Sequence, residues 1–83
     1  MYIVMEIQKS GNTVEDVAKI VTVHETKNEA ESKFHTILAY AAVSSVREHS
    51  AVMLTDTGIW LRSESYEHPV VAPPEPEPEI ENE

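Results

Sequence analysis

The sequence predicts an α+β domain of ββαββ order, a four-stranded antiparallel sheet with one helix packed on one face, followed by a disordered acidic Pro/Glu tail. Three observations carry that expectation. Apolar residues recur at every second position up to residue 24, at every third or fourth from residue 30, and at every second again from residue 50. Turn formers separate the alternating stretches, at Lys9-Ser10-Gly11-Asn12-Thr13 and at Asp56-Thr57-Gly58. All five prolines fall beyond residue 68, among glutamates that stretch the chain by mutual repulsion.

Taken in order, Tyr2 to Gln8 alternates as a first strand, with Ile3, Met5 and Ile7 on one face and Tyr2, Val4, Glu6 and Gln8 on the other. Gly11 and Asn12 tolerate positive φ and turn the chain toward a second, β-branched strand, Ala18 to His24. Val14 to Val17 either lengthens that strand or forms a short irregular turn. Thr26-Lys27-Asn28-Glu29 matches a capping box, so a helix starts there and runs to about Ser44. Ala30, Phe34, Ile37, Leu38 and Ala41 form its buried stripe. The second half, Ile37 to Val43, is apolar almost all round, more than one sheet face requires.

The third strand is Ser50 to Thr55 and the fourth Ile59 to Tyr66, joined at Gly58. The crossover rule places the strands in the order 2-1-3-4. On the face away from the helix the pattern puts Tyr2 and Val4 with Trp60, Arg62, Glu64 and Tyr66. The domain then spans 1–68 and the tail 69–83.

Composition narrows the function. A chain of 83 residues has little interior to spare, so an enclosed active site would compete with the core. The absence of cysteine removes disulfides, thiolate nucleophiles, iron–sulfur ligation and the common structural zinc sites. Six Lys and Arg against fifteen Asp and Glu argue against nucleic acid and anionic membranes as partners. No apolar run approaches the roughly 20 residues of a membrane span, and the N-terminus lacks a signal-peptide pattern. A cytoplasmic protein is the expectation.

His24, His35, His49 and His68 are the first candidates for chemistry. Three of them adjoin a glutamate, but neighbours in a strand face opposite ways and do not converge on one metal. The expectation is of surface and element-end histidines, with no metal and no cofactor. None of the serines stands in a Gly-x-Ser-x-Gly elbow, and Gly11 and Gly58 are too few for a phosphate loop. No catalytic residue is assigned, and an enzyme is not expected.

A protein interface is expected instead. Trp60, Arg62 and Tyr66 are the residue types that dominate binding hot spots, whereas plain cross-strand packing is the alternative use for such aromatics. Tyr40, Ala41, Ala42 and Val43 extend the candidate surface along the helix. The partner is a second copy of the chain, reached helix to helix or by edge-to-edge strand addition. An acidic regulatory or inhibitory binder that occupies a basic site on another protein, including a nucleic-acid mimic, is the other reading.

Three stretches also bear a likeness in texture: Tyr2-Ile3-Val4-Met5-Glu6-Ile7-Gln8, His24-Glu25-Thr26 with Asn28 through His35, and Glu64-Ser65-Tyr66-Glu67-His68. They resemble a group of small proteins of phage and prophage structural-gene clusters in gut-type bacteria. The likeness covers most of residues 1–68 and none of the tail, and it carries no catalytic or binding residue with it. What it implies is a virion or assembly component, with no place in head or tail assigned.

Overall fold

A computed structural model describes residues 1–69. The expected tail, Pro69 apart, lies outside the described residues. Strand β1 (Tyr2–Lys9) leads through a short 3-10 turn (Val14–Asp16) into β2 (Val17–His24). Helix α1 (Lys27–Val43) follows, then β3 (Glu48–Thr55) and β4 (Trp60–Glu67). The four strands form one antiparallel sheet in the order β2-β1-β3-β4, with the helix on one face, as the sequence predicts.

Each boundary has a local cause. At the first turn the Asp16 carboxylate accepts hydrogen bonds from the Thr13 amide (3.1 Å) and hydroxyl (2.8 Å), holding its pKa below the usual aspartate range. Gly11 is needed there for room, not for positive φ: a Cβ would lie 2.3 Å from Asp16 Oδ2. The irregular turn at 14–16, not a longer strand, is what this bonding builds. Gly58 does take a positive φ of 92°, closing the second hairpin, where the Gly58 amide donates to Thr55 O at 2.9 Å. The same turn is tied to the N-terminus, since the Asp56 amide donates to Met1 O at 3.1 Å.

The helix begins where the hydroxyl of Thr26 accepts from the Glu29 amide at 3.2 Å. Its buried residues are Ala30, Phe34, Ile37, Leu38 and Ala41, the stripe read from spacing. They pack chiefly on the central strands β1 and β3, meeting Val4, Ala51 and Met53. Phe34, Met53 and Val4 are the largest fully buried side chains, each contributing about 1.5–3 kcal/mol by leaving water.

Val4 corrects the expected face assignment. It is fully buried in the core, so the face bearing Tyr2, Val4, Glu6 and Gln8 lies under the helix. Ile3, Met5 and Ile7 therefore point away from it. Arg62, Glu64 and Tyr66 pair with Met53, Ala51 and His49 and share the covered side. Trp60 stays on the open side because a bulge at Met53/Leu54 shifts β4 out of phase and sets Trp60 opposite Leu54. Alternation alone cannot choose a face when both carry apolar residues.

Candidate protein interface

The open face is built from four rows that the strand register lays side by side. The first is Val23, Ile3, Leu54 and Trp60, apolar throughout. Val21, Met5, Val52 and Ser63 form the second, and Lys19, Ile7, Ser50 and Ser65 the third. The fourth, Val17, Lys9, Glu48 and Glu67, is mostly charged. Leu61, just before Arg62, adds to the apolar end. Neighbours half-bury the central residues, but Val23 remains 59% and Trp60 60% exposed. No element among the described residues lies over this face.

The covered face is the more polar of the two. Glu6 and His49 meet there on a diagonal, His49 Nε2 donating to Glu6 Oε2 at 2.6 Å, and Gln8 donates to the same oxygen at 3.0 Å. Burial pushes the Glu6 carboxyl up, but the hydrogen bonds from His49 and Gln8, with the charges of His49 and Lys33, outweigh it. The net result holds Glu6 below the usual glutamate range. Arg62 folds over the Phe34 ring at 4.7 Å from its centroid and donates to Glu31 on the helix at 2.7 Å. Thr22 and His24 are 2.9 Å apart on β2.

Beside the Glu6 and His49 pair is an open hollow of about 500 Å³, bordered by Gln8, Tyr40, Val43, Ser44 and Ser45. His49 Nδ1 is buried and has no hydrogen-bond partner among the described residues. As it stands, the pair ties β1 to β3.

The residues singled out from sequence fall into three places. Tyr40, Ala42 and Val43 lie on the outward side of the helix, with Tyr40 68% and Val43 83% exposed. Ala41 is fully buried, and its carbonyl accepts from His68 at 2.7 Å, so it offers nothing to a partner. Arg62 is engaged with Phe34 and Glu31, and Tyr66 stands beside His49 on the covered side. Trp60 alone among them belongs to the open face. The residues missed are Ile3, Met5, Val21, Val23 and Leu54, whose signal was the apolar phase of β1 opposite to that of Val4.

The histidines also differ from expectation in one case. His49 is buried, because its partner is Glu6 on the neighbouring strand and not the adjacent Glu48. His35 lies 3.4 Å from Glu31 on the helix surface, and His68 anchors the chain after β4 to Ala41. Among the described residues no cluster of three or more His, Asp or Glu side chains could hold a metal ion. No helix among them is long and apolar enough to cross a membrane. No family model matches the chain, and neither a curated protein nor a solved structure matches it.

Proposed function

We propose that the protein is a non-enzymatic interaction module that self-associates through the open face of its sheet. One observation carries this reading: the side facing solvent is more apolar than the side under the helix. A monomeric antiparallel sheet has the opposite arrangement, with polar residues outward. Ile3, Met5, Val21 and Leu54 are placed as core residues are, and a second copy supplies the missing cover. The likeness to phage and prophage structural-gene proteins supports a place in a particle or its assembly.

Size-exclusion chromatography with light scattering on the full chain, across concentration and salt, tests the proposal. A defined oligomer should persist at high salt, because apolar contact is insensitive to screening that weakens ion pairs. Val21→Glu should dissociate it by placing a carboxylate in the contact, with the circular dichroism of the fold retained. Ala42→Glu, on the outer side of the helix, should leave it whole. Emission of the single tryptophan, Trp60, should shift to the red on dilution. A monomer in every condition would overturn the proposal and favour the acidic-binder reading, whose partner contact weakens steeply with salt.

A further inference from the structure

Resting on that self-association, we infer that the two copies stack face to face about a two-fold axis parallel to the strands, between β1 and β3. The inference comes from how the rows are charged. Lys9 and Lys19 stand on the β1 and β2 half of the open face, Glu48 and Glu67 on the β3 and β4 half. A two-fold along the strands lays β1 of one copy over β3 of the other and keeps every row in place. Ile3 then meets Leu54, Met5 meets Val52, and Lys9 meets Glu48 of the second copy. Lys9 is also opposite Glu48 within its own chain, so the four groups make a square of alternating charge.

The competing axis, in the plane of the sheet but across the strands, reverses the rows. It sets Ile3 against Lys9 and Leu54 against Glu48, burying each intrachain pair on apolar surface with no opposite charge supplied by the second copy. The aligned twist of stacked sheets, about 30°, keeps the middle rows in register and shifts the end rows sideways by about 5 Å, a distance the long side chains of Lys9 and Glu48 span. Size is consistent with a specific contact. Four strands about 4.8 Å apart, each eight residues of about 3.3 Å rise, present about 500 Å² per copy. Two copies thus cover about 1,000 Å², the lower bound for a specific interface. The glutamate-bearing end of the tail, with glutamate at every second position from 75 to 83, has the wrong chemistry for the apolar rows.

Charge reversal reads this arrangement directly. Lys9→Glu and Glu48→Lys should each raise the dimer dissociation constant about tenfold, by stacking like charges across the axis. Mixing the two variants should restore wild-type affinity. In the mixed dimer the introduced carboxylate at position 9 faces the introduced ammonium at position 48, and the native Glu48 of one copy faces the native Lys9 of the other. Pairing confined to one chain gives no such rescue. A wild-type dimer whose affinity ignores Lys9→Glu, or variants that mixing fails to rescue, would overturn the arrangement while self-association stands. A wild-type monomer would remove both. Should a variant fail to fold, spin labels at Thr57→Cys in the cysteine-free chain decide: within about 20 Å for the inferred axis, beyond about 30 Å for the crosswise one.

Discussion

The two faces of the sheet carry opposite solutions to one problem. Under the helix, a small apolar centre of Val4, Phe34, Ala51 and Met53 is ringed by paired polar groups, among them Glu6 with His49 and Arg62 with Glu31. On the other side the apolar residues are more numerous, and no described element covers them. The first face is covered by the chain's own helix; in the self-association proposed above, a second copy covers the other. The difference teaches that residue type alone does not say which side of a small sheet is the interior. A charged residue can be buried where a partner waits on the next element.

The sharpest way to break the comparison is at its covered centre. Phe34→Ala should cost about 3–5 kcal/mol, comparable with the whole stability of so small a domain, and thermal denaturation should find no cooperative transition. That loss would far exceed the effect on the fold of Val21→Glu on the open face.

A smaller effect separates the faces by pH. Because Glu6 is held below its ordinary value of about 4.3, its contribution is complete above that pH and is lost as pH falls through the depressed value. Acid should therefore lower the melting temperature, and Glu6→Gln should flatten that acid limb. A limb unchanged in the variant would mean the pair does not couple to folding. The smallest change expected is at the helix entrance, where Thr26→Ala should cost about 1 kcal/mol in denaturant titration without altering self-association.

Sequence periodicity made the element order, the buried helix stripe and the strand order legible, because each depends on local pattern or chirality. Thr26 and Glu29 marked the helix start for the same reason. The assignment of faces was not legible: β1 has apolar residues in both phases, and only packing of Val4 against Phe34 shows which phase the helix covers. Nor was the Glu6 and His49 pair, which needs the register of strands more than forty positions apart in the chain. Trp60 was rightly placed on the open side by a pattern that missed the bulge, so its neighbours there were the wrong ones.

The central position of β1 also shapes how the chain reaches this structure. β1 pairs with β2 across one short turn, but with β3 only after the helix has been added, Tyr2 meeting Thr55. Hairpins close in microseconds, whereas the distant pairing must first overcome the entropy of a long loop. During synthesis the first hairpin thus emerges with Val4 and Ile3 exposed on its two sides. Docking of α1 and β3 shelters Val4, and the strand rows of Ile3 are assembled in the same event. Until then the hairpin exposes Ile3, Met5, Val21 and Val23 together with the unpaired edge of β1, the surface most open to misassembly between half-made chains.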